Sequence, residues 1–460
     1  MADQATAQEF DILVLGGGSG GYATALRAVQ LGLTVGLVEK AKLGGTCLHN
    51  GCIPTKALLH SAEVADHARD GAKYGVNVEL QSIDMTAVNA YKDGIVAGKF
   101  KGLQGLIKGK GITVIEGEGK LTAPDTITVN GTAYKGKNIV LATGSYSRSL
   151  PGLEIGGRVI TSDEALKMDY VPKSVIVLGG GVIGVEFASV WKSFGVDVTI
   201  VEGLPSLVPN EDASIIKVLE RTFKKRGIKF NTGTFFQGVE QDNDGVKVTL
   251  VDGKTFEADL LLVAVGRGPS TAGLGFEEAG VTIDRGFVIT NERLHTGVGN
   301  VYAVGDIVPG VQLAHRGFQQ GIFVAEEIAG MKPVVVDDIN VPKVTFCDPE
   351  IASVGYSEKA AKEKFGEDRV ESTEYNLAGN GKSAILGTGG IIKFVREKDG
   401  PVVGVHMIGT RVGEQIGEAQ LIVNWEAYPE DVAGLIHAHP TQNEALGEAA
   451  MALAGRPLHG

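Results

Sequence analysis

The chain has 460 residues, 43% of them hydrophobic, with 66 glycines and a formal net charge of -12. That length buries an ample core over roughly two to four domains without disulfide staples, and the glycine content points to a loop-rich α/β protein rather than a helical bundle. The acidic balance argues against nucleic acid or an anionic membrane surface as the main partner, and no apolar run approaches the roughly 18 residues of a membrane span.

Residues 1–9 are polar, without a basic stretch leading into an apolar core, so no secretory signal is expected and a cytoplasmic location is. Phe10-Asp11-Ile12-Leu13-Val14-Leu15 then reads as a buried strand running into Gly16-Gly17-Gly18-Ser19-Gly20-Gly21 and a helical pattern through Ala25, Leu26, Ala28 and Val29. A second strand over residues 34–38 ends on Glu39. This is the strand, G-x-G-x-x-G, helix arrangement in which glycines admit a pyrophosphate to the helix N-terminus and the following acid accepts from a ribose hydroxyl.

Next come Cys47 and Cys52, two of only three cysteines in the chain, in Gly44-Gly45-Thr46-Cys47-Leu48-His49-Asn50-Gly51-Cys52-Ile53-Pro54-Thr55-Lys56. A chain so poor in cysteine looks cytosolic, where structural thiols stay reduced. Three readings are open: half a metal site, two inert buried thiols, or a reversible dithiol/disulfide. A closed zinc site wants four ligands at paired short spacings, and only His49 and His60 are near, so no metal is expected. The redox reading is favoured locally, since Pro54 suits a first helical turn and thiols near a helix N-terminus have depressed pKa values.

The nucleotide pattern then recurs. Strand residues 175–178 lead into Gly179-Gly180-Gly181-Val182-Ile183-Gly184, a helix through Phe187 and Trp191, and a strand over 198–201 ending on Glu202. In both copies the acid lies 23 residues after the first glycine, a coincidence that chance glycine-rich loops rarely supply. Two folds imply two dinucleotides. The Glu202 carboxylate repels a 2'-phosphate and Gly203 offers no cation to hold one, favouring NAD over NADP. Hydride from a nicotinamide does not readily open a disulfide, so a flavin relay is the economical inference, with FAD in the first fold.

These elements, in this order, together with His437-Ala438-His439-Pro440-Thr441-Gln442-Asn443-Glu444-Ala445 near the end, resemble the pyridine nucleotide-disulfide oxidoreductases over essentially the whole chain. Within that family the resemblance is to members that reoxidise a protein-bound dihydrolipoyl group with NAD+. It implies two Rossmann-like dinucleotide-binding domains plus a C-terminal α+β dimerisation domain, divided as 1–147 (FAD, redox disulfide), 148–274 (NAD), 275–345 (central, completing the FAD site) and 346–460 (interface). It also implies a homodimer. The expected partner is a lipoyl-bearing acyltransferase or carrier protein of a 2-oxoacid dehydrogenase or glycine cleavage complex.

The resemblance also assigns roles. Cys47 exchanges with substrate and Cys52 faces the flavin. His439 is the general base, oriented by Glu444 and reaching the partner's active site, while Lys56 and Glu186 pair beside the flavin. FAD contacts are implied for Gly16, Gly18, Ser19, Gly20, Gly21, Glu39, Lys40, Gly45, Thr46, Lys56, Gly119, Thr143, Gly144, Ser145, Asp306, Gln312, Leu313, Ala314 and His315. NAD contacts are implied for Gly179, Gly181, Val182, Ile183, Gly184, Glu186, Glu202 and Gly266, with residues 262–267 matching in the second fold the part that 140–145 play in the first. His437 reads as a satisfied core or surface residue.

Some residues depart from the family pattern: His49-Asn50 between the cysteines, Phe318-Gln319-Gln320 in a stretch that is often acidic, and Cys347, read as a packed thiol. The alternatives are a glutathione-type or mercuric reductase and a non-catalytic flavoprotein subunit. The first would carry basic residues after the second acid and the second a C-terminal vicinal cysteine pair, and neither feature is present. Intact Cys47, Cys52, His439 and Glu444 speak against the third.

Overall fold

Ile12, Leu13, Val14 and Leu15 are all fully buried or nearly so, because parallel neighbours and helices cover both faces of their strand. The computed structural model describes residues 8–459; residues 1–7, within the segment expected to lack a secretory signal, and Gly460 lie outside the described residues. The chain forms two compact units, the first from the segments up to Ala57, Thr86–Arg148 and Arg267–Asp338, the second from Leu58–Met85, Ser149–Gly266 and Ile339 onward.

In the first unit, strands run in the order Thr113–Glu116, Val35–Glu39, Glu9–Leu15, Thr132–Leu141, Thr126–Val129, Gly119–Ala123, and Val301–Ala303 also pairs with Thr132–Leu141. The first four are mutually parallel, in a register that sets Leu15 against Val38 and Leu141, so that their C-terminal ends lie at one edge. Alternation divides the core: Leu13 and Leu15 join Ile127, Ile139 and Phe276 on one face, and Ile12 and Val14 join Ala25, Leu37 and Phe323 on the other. The helices Ser19–Gln30 and Ala314–Ile328 approach closely because Gly321 lacks a Cβ, which would stand 2.3 Å from Gly20 O, and an Arg27–Glu326 ion pair ties the same two helices.

The second unit contains the repeat. Its five parallel strands follow the order Lys229–Thr232, Asp197–Glu202, Ser174–Leu178, Leu260–Val263, Val159–Ile160, flanked by the helices Val182–Ser193 and Ala213–Arg226. A five-stranded antiparallel sheet, Lys343–Thr345, Glu350–Gly355, Val402–Gly409, Ile391–Glu397 and Val370–Asn376, packs Val354, Ile392, Phe394, Val405 and Met407 against Ala419, Leu446 and Ala449 of the helices Val412–Asn424 and Glu444–Leu453. The expected architecture of two Rossmann-like folds and a C-terminal α+β layer is therefore present. Among the described residues no helix is long and apolar enough to cross a membrane.

Within the second unit Lys393 is a buried cation, 2.9 Å from Asp212 Oδ1 and 2.7 Å from Glu358 Oε2. Burial pushes the Asp212 carboxyl up, but the Glu358 N–H and Lys393 hold it below the ordinary range, and Lys362 and Lys393 bring Glu358 down to about 2. Both folded values lie below the unfolded ones, so their stabilisation is complete above about pH 5 and is lost as pH falls toward 2. Lys393→Met leaves Asp212 as an unpaired buried charge and is expected to cost roughly 3–5 kcal/mol at pH 7, with a smaller loss at pH 3, read from urea midpoints at the two pH values.

The 25-residue helix Met85–Gly109 carries Gly98 and Gly102 on its exposed face, and no atom lies within 4 Å of where a Cβ would stand at either position. Gly98→Ala and Gly102→Ala should each stabilise by about 0.5–1 kcal/mol, seen as a raised melting temperature without loss of activity.

Candidate active site

At the end of the Glu9–Leu15 strand the chain turns through Gly16, whose φ is +107° and where a Cβ would stand 2.3 Å from Ala142 O. Gly21 is equally constrained, its Cβ position lying 1.8 Å from Gly16 O. Gly18 is different: its nearest neighbour is Gly45 Cα at 4.0 Å, so packing leaves the approach open. Packing demands glycine at 16 and 21, whereas the open face at 18, directly before the Ser19–Gln30 helix N-terminus, fits a pyrophosphate. Glu39 accepts from Gly17 N at 2.7 Å through one oxygen and from Ala41 N at 2.7 Å through the other. The expected ribose acceptor thus also ties its own loop, with lone pairs remaining on each oxygen. Lys40 is exposed beside Glu118, and Gly119 packs against Leu15 and Val38.

The second copy repeats this geometry within its own unit. Gly179 has φ +111° and a Cβ position 2.4 Å from Ala264 O, and Gly184 lies as close to Gly179 O, at 1.9 Å. Gly181 has nothing within 4 Å, and Glu202 accepts from Gly180 N at 2.6 Å and Leu204 N at 2.8 Å. Val182 and Ile183 open the helix that Gly181 caps, and Gly266, at φ +106°, faces open space as Gly144 does at +74° in the first copy. A Cβ at Gly203 would stand 2.6 Å from the Phe235 ring, and glycine itself brings no cation beside Glu202. Both cradles fit a dinucleotide, and the second fits one without a 2'-phosphate.

The cysteine segment is laid on the first cradle. Gly44 N donates to Gly17 O at 2.8 Å, and Gly45, at φ +56°, could carry no side chain because Gly18 Cα is 2.9 Å from its Cβ position. Thr46 and Cys47 follow in the short helix Gly45–His49, and Cys52 is the first residue of Cys52–Asp70, with Lys56 one turn on. Both sulfurs are half-buried thiols in the structure. The hydrogen bond to Cys52, then burial and the charge of Cys52, push the Cys47 thiol well up, against a lesser downward pull from Lys56 and Ser19. The expectation of a depressed value is therefore corrected for Cys47, whose surroundings raise it. Cys52 holds the helix N-terminus, where a negative charge is favoured. Burial, the largest cause, raises Tyr22 to about 12.

His49, one of the departures, is committed to structure: its Nε2 shares a 2.9 Å hydrogen bond with Leu43 O, and its ring meets Phe100 edge-on at 5.1 Å. Among the described residues no His/Cys/Asp/Glu group could hold a metal.

Asp306 lies in the 3-10 turn Gly305–Ile307 that follows the Val301–Ala303 strand, and accepts from Ser145 Oγ at 2.5 Å. Gln312 Nε2 donates to Asp306 O at 3.2 Å, and Thr143 Oγ1 to Ser270 O at 2.6 Å. Leu313 caps the helix Ala314–Ile328, so Ala314 and His315 form its first turn. Gln320, buried and one of the departures, accepts from Gly305 N at 2.8 Å. Its role was not legible from sequence, and neither was that of Arg267, whose guanidinium reaches Ser145.

The second unit holds the remaining candidates. His439 Nδ1 shares a 2.8 Å hydrogen bond with Glu444 Oε1, and Thr441 N donates to Glu444 Oε2 at 2.7 Å. Burial pushes the Glu444 carboxyl up, but the Thr441 N–H and the His439 imidazole outweigh it and hold it down. His439 is 78% exposed with only Nδ1 engaged by Glu444, leaving Nε2 facing outward as a base requires. His437 is mostly buried and bonded to Glu418 at 2.7 Å, a satisfied histidine. Glu186 is 3% exposed and accepts from Phe346 N at 2.9 Å. Cys347 is a buried thiol donating to Pro349 O. Cys47, Cys52, Lys56 and Asp306 thus fall in the first unit, and Glu186, His439 and Glu444 in the second.

A family model described as pyridine nucleotide-disulphide oxidoreductase matches residues 10–321, and the dimerisation domain of the same family matches 341–450, which supports a homodimer. The mitochondrial dihydrolipoyl dehydrogenase of Pisum sativum is 41% identical over 98% of this chain and 93% of its own length. A dihydrolipoyl dehydrogenase of Bacillus subtilis is 40% identical over 98% and 100%. Among solved structures, LpdA from Mycobacterium tuberculosis has a TM-score of 0.89 at 25% identity, covering 97% of this chain and 100% of that one. With two cradles, a thiol pair and a terminal His–Glu pair in family order, the chain belongs to the pyridine nucleotide-disulphide oxidoreductases.

Proposed function

We propose that the protein is an NAD-dependent dihydrolipoyl dehydrogenase that reoxidises a protein-bound dihydrolipoyl group through a Cys47–Cys52 disulfide. Membership of the family makes it a flavin-dependent oxidoreductase with FAD and NAD as cofactors. The observation that carries the reading is the placement of the thiol pair, docked on the first cradle through Gly44 N to Gly17 O with Cys52 opening the helix Cys52–Asp70. The similarity to dihydrolipoyl dehydrogenases over 98% of the chain supplies the substrate class.

The chain's own residues divide the work as follows. His439 Nε2 takes the proton of one dihydrolipoyl thiol, and Glu444 on Nδ1 stabilises the resulting cation. The substrate thiolate attacks Cys47 Sγ, forming a mixed disulfide and releasing Cys52 as a thiolate, which the helix N-terminus and Lys56 stabilise. The second substrate thiol then closes on the first sulfur and passes its proton to His439 as that base gives up the first one. Cys47 leaves as a group of high proton affinity and reclaims the proton from His439, so the substrate loses two electrons and the pair gains them. FAD, when bound in the first cradle, supplies the two-electron link between this dithiol and NAD+ in the second.

Gly16, Gly18, Ser19, Gly20 and Gly21 would hold the FAD pyrophosphate, Glu39 its ribose and Asp306 its ribityl chain. Gly179, Gly181, Val182, Ile183, Gly184, Glu186 and Glu202 would hold NAD, and Lys56 would belong to the FAD site. We read the chain as the four segments 1–147, 148–274, 275–345 and 346–460. The exposed apolar side chains Trp425, Leu435 and Ile436 are a surface for the second copy to cover, and His439 would serve the partner's active site. A lipoyl-bearing carrier or acyltransferase of a 2-oxoacid dehydrogenase or glycine cleavage complex is the expected partner.

Anaerobic turnover of dihydrolipoamide tests the reading: NAD+ should exceed NADP+ by roughly 100-fold in kcat/KM, and equal use of the two would overturn the role given to Glu202. His439→Gln should lower turnover by about 10²–10⁴ while flavin reduction by NADH proceeds. Cys47→Ser should retain a long-wavelength thiolate-to-flavin absorption that Cys52→Ser loses; the reverse pattern would exchange the two roles.

A further inference from the structure

Arg267 opens the strand Arg267–Pro269, which pairs antiparallel with Ser145–Ser147 in a two-stranded ribbon. The ribbon is close-fitting: at Gly268 a Cβ would stand 2.6 Å from the Tyr146 ring, and Ser270 N donates to Gly144 O at 2.9 Å. From it the half-buried guanidinium donates through Nε to Ser145 Oγ at 2.7 Å and through Nη2 to Ser145 O at 2.8 Å. Its remaining reach goes to Ser147 Oγ at 3.3 Å and Thr46 Oγ1 at 3.4 Å.

A guanidinium only donates, so Ser145 Oγ is the acceptor in its bond with Arg267. The one hydroxyl proton of Ser145 is then free to go elsewhere, and Asp306 Oδ2 receives it at 2.5 Å. The direction of the whole chain, Arg267 to Ser145 to Asp306, is therefore dictated by chemistry. Oδ2 is thereby occupied, and the carboxylate's other oxygen is the one left for a ligand. The same guanidinium also touches the residue preceding Cys47, so one side chain joins the 44–47, 143–147 and 305–306 segments.

We propose that Arg267 is a positioning residue for the flavin: through Ser145 it sets the carboxylate of Asp306, and through Thr46 it keeps the cysteine helix in line with that carboxylate. This rests on the reading of the first cradle as the FAD site. Arg267 itself contacts the acid only through Ser145, so its removal should act by loosening Asp306 rather than by deleting a ligand contact. Lysine is a poor replacement, since a point charge on a flexible stem cannot engage Oγ and O of one serine as a fork does.

The test is FAD affinity of the apoprotein, measured by flavin fluorescence quenching, in a double-mutant cycle with Arg267→Met and Ser145→Ala. Each single variant should weaken binding about 10- to 100-fold, and the double variant should fall well short of the product of the two losses, because both cut the same chain and only the Thr46 contact is lost separately. Arg267→Lys should fall between wild type and Arg267→Met, and it carries the cycle if the methionine variant does not fold. Wild-type affinity in Arg267→Met, or losses that multiply in the double variant, would overturn the relay. Failure of the wild-type apoprotein to take up FAD would instead sink the flavoprotein reading, and this inference with it.

Discussion

The protein depends on two places where backbone meets backbone more closely than any side chain permits. At Gly16 and Gly179 a carbonyl oxygen stands 2.3 and 2.4 Å from the position a Cβ would take, and both residues have φ above +100°. That contact sets the sharp strand-to-helix turn, and the turn aims helix N–H groups at a bound pyrophosphate. It also presents the next backbone N–H, of Gly17 or Gly180, to the acid at the end of the neighbouring strand. The acids thus do two things at once: they hold the loop closed and leave lone pairs for a ribose.

The duplicated hook is used differently in its two copies. Gly17 O accepts from Gly44 N at 2.8 Å and so docks the cysteine segment on the first cradle, while Gly180 O accepts from Val208 N at 2.9 Å and docks a plain loop. One strand-turn-helix device therefore docks the cysteine segment in one place and a plain loop in the other. Once docked, the thiols separate in character. Cys47 sits inside a five-residue helix, where its bond to Cys52 and burial push it up, and Cys52 takes the N-terminus of a nineteen-residue helix with Lys56 a turn away. The two sulfurs therefore stand in unlike surroundings although they are five residues apart.

The sequence made the cradles legible because their determinants are local. A continuous apolar run, a glycine spacing and an acid 23 residues on need no knowledge of distant chain. The His439–Glu444 bond was legible for the same reason, the two being five residues apart. Arg267 and Ser145 are 122 residues apart, Glu186 and Phe346 are 160, and Lys393 and Asp212 are 181, so no short window of sequence contains any of these pairs. His49 carried no signal of its own, since an imidazole between two cysteines reads equally as tuning group or brace until Leu43 O and the Phe100 ring are seen to hold it.

By itself, then, the amino-acid order determined the two dinucleotide folds and marked the cysteine pair and the His439–Glu444 pair as candidates, since each rests on residues that are neighbours in the chain, and the folds also on backbone geometry that only glycine reaches. Tertiary structure alone decided which thiol is pushed up by its surroundings, which acids are already satisfied by backbone N–H groups, and which arginine reaches Asp306 through Ser145. Those outcomes depend on burial and on hydrogen bonds between segments that lie apart in the chain, and proton affinity and bond direction are properties of the folded surroundings rather than of residue type.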